Sequence, residues 1–316
     1  MAHEIETMFY ANAKPWHGIG TKLDGDALQS VDQVLQASGL DWEVEKVPMV
    51  TADTQQPIPE SFATRRKSDN SILGVVGDRY TILQNHEALN WFNPWLESKQ
   101  ASMETAGSLR NGSRIFMLAK LSLDPMDIVP NDPVESYVLL SHSHDGSLSC
   151  RVGFTPIRVV CANTLKLAVH DKASKLIRVK HSKSIHDNLA NIQAVMNLAK
   201  QEFEATAEQY RRLARRGVNS NDISKYIKRV LGVTEDKPAG TKMANIITDI
   251  WNRIEVGKGN DLPGVKGTAW AMYNGLNEWL NYERGHTASS RLDSLWYGPN
   301  AAMNQTALDY ALELCV

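Results

Sequence analysis

A chain of 316 residues, 42% hydrophobic and 22% charged, has the composition of a globular protein and is long enough for one large domain or two ordinary ones. No run approaches eighteen consecutive apolar residues, and the opening MAHEIETMFYANAKPWHG lacks the basic-then-apolar layout of a secretory signal. A cytoplasmic protein without membrane contact is therefore expected. Its cysteines, Cys150, Cys161 and Cys315, form no CxxC pair and have no histidine at zinc spacing, which points to buried thiols and not to a disulfide framework or a zinc site.

In chain order, the first half reads as strands, turns and short helices. A helix is expected near 30–38 and a strand near 42–50, where Trp42, Val44, Lys46 and Pro48 alternate with Glu43, Glu45, Val47 and Met49. ILGVVGDRYTIL is rich in β-branched residues and predicts a strand. After it, Asn85 can cap a helix carrying Leu89, Phe92 and Leu96. Asn111-Gly112 marks a hairpin turn with RIFMLAKL as the returning strand, and Asp145-Gly146 marks a second hairpin. Pro156 cannot donate to a ladder and so marks an edge or a bulge. Asn163 or Thr164 can cap a short helix through Leu165 and Ala168. KLIRVKH then forms a strand with Ile177 and Val179 on one face and Arg178 and Lys180 on the other.

After Ser184 the pattern becomes helical. Ile185, Leu189, Ile192, Met196, Ala199, Phe203, Thr206, Tyr210 and Leu213 hold one seam of alternating four and three spacing. Such a seam must meet another helix, either in the same chain or, through the 185–213 helix, in a second copy; the same chain is favoured. Gly217 ends this helix. NSNDISKYIKRVLG, TKMANIITDIWNRIEV, TAWAMYNGLNEWLNYE and AAMNQTALDYALEL predict further helices. The fold class expected is α+β, with antiparallel hairpins and short helices over 1–184 and a mostly helical part over 185–316 that can share one core.

The net charge of -2 conceals a segregation. From Arg151 to Arg229 there are sixteen Lys and Arg against six Asp and Glu, which leaves 18 basic and 30 acidic residues elsewhere. One cluster is β-associated: Arg151 and Arg158 on the hairpin strand, Lys166 on the short helix, and Lys172, Lys175, Arg178, Lys180 and Lys183 around the next strand. The other, Arg211, Arg212, Arg215 and Arg216, ends the long helix, where cations suit the helix dipole without further explanation. Lysine and arginine neutralise phosphates by charge density alone, so the first cluster is the candidate nucleic-acid contact, with Phe154, Tyr210 and Tyr226 as stacking faces.

Other motifs have plainer readings beside the chemical ones. His142, His144 and Asp145 in SHSHDGS could ligate an ion from one strand face, but no third ligand can be named and a polar hairpin tip is preferred. Cys161 with His170 is a weak nucleophile-base pair. GKGNDLPGVKGT could hold a phosphate on backbone amides but departs from the G-x4-GK[ST] loop, and Trp16-His17-Gly18-Ile19-Gly20 reads as a tight turn. No catalytic residue, cofactor or metal ligand is assigned.

Taken together, PWHGIGTKL, GLDWEVEKVP, GDRYTILQN, ETAGSLRNGSRIFMLAKL, SHSHDGSLSCRVGFTPIRVVCANTL and GTAWAMYNGLNEWLNYERG resemble, in order and over nearly the whole chain, the phage/plasmid-like protein family, an uncharacterised family that includes proteins named YafZ and YfjQ. The resemblance implies a role in mobile DNA and transfers no catalytic residue. The expectation is a non-enzymatic binder of DNA, single strands favoured, in replication or recombination, as annealing proteins are. Two alternatives remain open: an interaction or assembly protein acting on a host factor, and a nucleotide- or metal-dependent enzyme.

Overall fold

The computed structural model describes residues 5–11, 20–158, 163–164, 177–182, 193–234, 236, 238–285 and 288–316. In chain order the strands are β1 (Ile5–Tyr10), β2 (Thr21–Lys22), β3 (Val44–Val50), β4 (Pro57–Arg66), β5 (Ile72–Gly77), β6 (Ala101–Leu109), β7 (Arg114–Leu121), β8 (Met126–Asp127), β9 (Pro133–Ser143), β10 (Cys150–Arg158), β11 (Asn163–Thr164) and β12 (Ile177–Val179). The helices are α1 (Val31–Ser38), α2 (Asn85–Asn90), α3 (Asn93–Glu97), α4 (Gln193–Arg215), α5 (Ser220–Leu231), α6 (Thr241–Val256), α7 (Ala269–Tyr282), α8 (Ala288–Tyr297) and α9 (Pro299–Glu313). The protein is α+β, with antiparallel sheets and short helices first and helices after. Contacts gather it into two units, one drawn from Met1–Ser122, Tyr137–Gly153 and Lys175–Asn197, the other from Leu123–Ser136, Phe154–Ser174 and Leu198–Val316.

In the first unit β10, β9, β7, β6, β1 and β2 lie side by side in that order, with β12 beside β10, while β3, β4 and β5 make a second, antiparallel sheet. Five consecutive residues of β7, Ile115 to Ala119, are buried, so this strand reads as an apolar run and not as an alternation; it has β6 on one side and β9 on the other. The expected hairpin at Asn111-Gly112 forms, with a four-residue loop. Leu109 pairs with Arg114, and Arg110, Asn111 and Gly112 take φ of 54°, 54° and 84°. The second hairpin turns over 144–149, where Gly146 has φ 73° and the Asp145 carboxylate accepts from Ser147 N at 2.8 Å.

A buried arginine ties this unit together. Arg66, 7% exposed at the end of β4, donates from Nη1 and Nη2 to the two carboxylate oxygens of Glu6 at 2.7 and 3.0 Å. Nη2 also donates to the Asn111 carbonyl at 2.9 Å, and the guanidinium lies 4.5 Å from the centroid of Trp42. One planar fork thus meets β1, the 110–113 loop and an aromatic face.

Several expectations change. The strand at Ile72 ends at Gly77 instead of running to Leu83, because a turn at 78–79 follows. Asn85 is not the cap. Gln84 holds that position, with its N–H donating to the Glu87 carboxylate at 2.8 Å, and Pro94 in the first turn of α3 splits the expected helix into two short ones. Asn163 and Thr164 are strand residues paired with Arg158 and Ile157, not a helix cap. β1, β4 and α8 carried no expectation. Pro156 does fall at an interruption: β12 pairs with Cys150 to Val152 and β11 with Ile157 and Arg158, so the proline lies in the gap between the two partners.

In the second unit the seam of the long helix meets α7 of the same chain. Phe203, Tyr210 and Leu213 are fully buried, and the Tyr210 ring stands 4.8 Å from Trp270. The part of the seam before Gln193 lies outside the described residues. α7 is buried almost all round and anchors through polar tips, Trp270 Nε1 donating to Asp132 at 2.7 Å and Tyr273 Oη to Asn304 at 2.8 Å. Gly275 lets α6 cross close to it, since a Cβ there would stand 2.6 Å from the Ile254 backbone nitrogen.

Gly275→Ala should therefore lower stability by about 1–3 kcal/mol through overpacking, in spite of the roughly 1 kcal/mol that alanine gains in a helix interior. Gly240→Ser, where nothing lies within 4 Å, should leave the urea midpoint unchanged or slightly raised. Arg66→Lys removes the fork and should cost about 2 kcal/mol in the same titration, with equal stability of the two forms counting against the role given to Arg66.

Candidate functional site

The end of β9 carries the imidazoles of the SHSH run inward. His142 pairs in register with Ile115, and His144 N donates to the Ser113 carbonyl at 2.8 Å. Both side chains are 0% exposed. The polar hairpin tip expected here is thus corrected: the turn is polar at Asp145 to Ser147, and the two histidines before it belong to the core.

They form part of a line of rings. Trp42 stands 5.4 Å from His144, His144 4.9 Å from His142, His142 5.9 Å from His181, and His181 is stacked 4.8 Å from Tyr80 with planes 16° apart. Hydrogen bonds fix the tautomers at both ends of the imidazole group. Asn85 donates from Nδ2 to the Leu40 and Trp42 carbonyls, so its Oδ1 accepts from His144 Nε2 at 3.0 Å. His181 Nδ1 donates to the Thr81 carbonyl at 3.2 Å. Tyr80 Oη donates to the Ser143 carbonyl at 2.7 Å.

Burial sets the charge state. It holds His142 well below its ordinary pKa, brings His144 down to about 3 with His181 adding to the effect, and lowers His181. The same cause raises the Tyr80 phenol and pushes the Cys150 thiol up to about 12. At neutral pH this group is uncharged, with neither a thiolate nor an imidazolium. Among the described residues no three His, Cys, Asp or Glu side chains are placed to hold a metal ion.

Tyr80 and His181 are also part of the wall of an open cleft of about 670 Å³ in the first unit. Residues 77–80 supply one stretch of its lining and 180–182 another, together with Glu60, Gly146, Leu148 and Ser149. Lys46 holds the first stretch from β3, its Nζ donating to the carbonyls of Gly77, Asp78 and Tyr80 at 3.2, 2.8 and 3.1 Å. Thr81 N donates to the His181 carbonyl at 3.0 Å and ties the two stretches together. Arg79 and Lys180 are exposed on the wall, and neither forms an ion pair among the described residues; Glu60 and Asp78 bring two carboxylates to the same cleft.

The basic cluster is brought together in part. Arg151, half-buried on β10, is the register partner of Arg178 on β12, and Lys180 follows at the cleft. Arg158 closes the β10 pairing with Asn163 in the second unit. Lys166, Lys172, Lys175 and Lys183 lie outside the described residues, as do Cys161, His170 and Trp16 to Ile19. The stacking role given to Phe154, Tyr210 and Tyr226 is overturned, because all three are buried. Two of the four helix-end arginines have structural partners: Arg211 donates to the Asp127 carbonyl at 3.1 Å, and Arg215 pairs with Glu208 at 2.9 Å. In the glycine-rich loop, amides expected to face a phosphate are engaged by the chain itself: Lys258 N donates to Glu278, Asn260 N to Gly257, and Val265 N to Leu262. Its end does cap the next helix, with Thr268 Oγ1 accepting from Ala271 N.

Sequence reasoning did not reach Arg79, Tyr80 or His181. The adjacency of a cation and an aromatic residue in GDRYTILQN was the available signal, and it was spent on a strand.

A family profile described as Domain of unknown function (DUF932) matches residues 72–296. No curated protein and no solved structure matches the chain.

The buried histidines make stability depend on acidity with a definite sign. Their folded pKa values lie below the unfolded value near 6.5, so the unfolded chain binds more protons as pH falls beneath it. Stability should be fully present above pH 6.5 and decline toward pH 3, by up to about 1.4 kcal/mol per pH unit for each such histidine. His142→Leu should flatten that limb in denaturant titrations at a series of pH values; a limb parallel to the wild type would remove His142 from the account.

Proposed function

Since the chain belongs to the DUF932 family, whose function is unknown, we propose from its own residues that it binds nucleic acid without catalysing a reaction on it, with single-stranded DNA the preferred partner. The observation that carries this reading is the open cleft of the first unit, where exposed Arg79 and Lys180 share the lining with the stacked Tyr80 and His181 rings, and where Arg151 and Arg178 are register partners on the strands that lead to it. Phosphates bound by exposed lysine and arginine release counterions, a gain in affinity that needs positive groups and no fixed sequence. The cleft's aromatic pair supplies what a duplex would not use, a ring surface for an unpaired base. The nearby Cys150 thiol and the His142 and His144 imidazoles are buried out of reach of a substrate, which supports binding over catalysis. The resemblance to phage/plasmid-like proteins supports a setting in the replication or recombination of mobile DNA, and with it a cytoplasmic site of action.

Fluorescence anisotropy with single- and double-stranded oligonucleotides tests the proposal. Single strands should bind more tightly, with affinity falling at least tenfold between 50 and 200 mM salt. The exposed pair Arg79→Glu/Lys180→Glu should weaken binding at least tenfold. No binding to either form at low salt, or wild-type affinity in the double variant, would reject it.

A further inference from the structure

We infer that the cleft of the first unit seats one unpaired, amino-bearing nucleotide of the bound strand, its phosphate at Arg79 and Lys180 and its base against the Tyr80 and His181 rings; this rests on the nucleic-acid reading above. A cleft of about 670 Å³ is of the size that takes small ligands, and it is too small for a duplex. The Tyr80 and His181 rings in its lining are stacked on each other, 4.8 Å between centroids and 16° between planes, so a base would extend this stack from an outer face, with Tyr80 held in place by its bond to the Ser143 carbonyl. The imidazole of that pair is uncharged near neutrality, so it offers a π-face and no competing charge to the phosphate.

The charges narrow the ligand further. Two exposed cations would suit any anion, but Glu60 and Asp78 line the same cleft and bring its formal charge near zero, which makes it a poor seat for a bare anion. A ligand with a phosphate at one end and N–H donors at the other satisfies both signs. One oxygen of Asp78 accepts from Arg79 N at 2.7 Å, which leaves the other as an acceptor. Carboxylates take hydrogen bonds from the exocyclic amine of cytosine, and the amine of adenine offers the same donor. Thymine has no exocyclic amine. The Ser149 hydroxyl adds a group that can donate or accept as the base requires.

The test titrates the full chain with dCMP, dAMP, dTMP and inorganic phosphate by isothermal calorimetry, beside the oligonucleotide measurement. dCMP and dAMP should bind at least fivefold more tightly than dTMP and at least tenfold more tightly than phosphate. Ser149→Trp, which fills the cleft, should abolish mononucleotide binding, with its fold checked by circular dichroism. Arg79→Ala/Lys180→Ala, two exposed truncations, should weaken dCMP at least fivefold and leave deoxycytidine within twofold. Equal affinity for phosphate and dCMP would overturn the inference in favour of a simple anion seat. Oligonucleotide binding without mononucleotide binding would overturn it and leave the nucleic-acid reading standing. The converse result would overturn the strand reading and keep the cleft as a mononucleotide site.

Discussion

The first unit depends on a guanidinium that has been taken out of water. Arg66 is 7% exposed, and such a charge is tolerated only where most of its donors are met. The Glu6 carboxylate answers two of them and the Asn111 carbonyl a third, and Trp42 covers one face of the plane. Each partner comes from a different stretch of chain, so the first strand, the 110–113 loop and the aromatic ring are all placed by one rigid group. Trp42 then stands against His144, and the line of rings continues through His142 to His181 and Tyr80. The cleft wall is thus the far end of a series of contacts that begins at a buried charge.

The second unit solves a similar problem with amides. Asn274 and Asn277 are buried on α7 and donate back to the Trp270 and Tyr273 carbonyls one turn earlier, while Asn260 donates to the Arg253 and Ala271 carbonyls beside the helix crossing. A helix buried almost all round would otherwise be apolar all round. Here the helix's asparagines donate to its own backbone, and Asn260 of the loop that precedes it donates to carbonyls of α6 and α7, which holds the loop against both helices.

What could be read from the sequence follows from how local each cause is. Asn219 and Gly232 cap a helix by their own chemistry, as do Thr268 and the residues after it, so these boundaries were legible. The hairpins at Asn111-Gly112 and Asp145-Gly146 were legible for the same reason. The start of α2 was not: asparagine is a common cap, but Asn85 is consumed by the Leu40 and Trp42 carbonyls and by His144, partners more than forty residues away. The histidines were misread as a solvated turn because nothing in SHSHDGS reveals that the strand before it lies against Trp42 and His181. For the candidate site, charge density led to β10 and β12, yet Tyr80 and Arg79 come from a segment whose β-branched neighbours suggested only a strand, and His181 ends KLIRVKH, where only the cations drew notice. The arginines that end α4 were separable in advance, since a helix C-terminus already accounts for cations there.

Lys46 has a consequence for how the cleft could meet a ligand. Its ammonium group is tied to three carbonyls of the 77–80 turn, and Thr81 N is tied to His181, so both stretches of the cleft lining are set before anything enters. An incoming molecule would not have to order that backbone, and the entropy of ordering is among the larger costs of binding. The cleft is preorganised from outside its own lining, by a lysine of the neighbouring sheet, so that any affinity it has would in part be decided there.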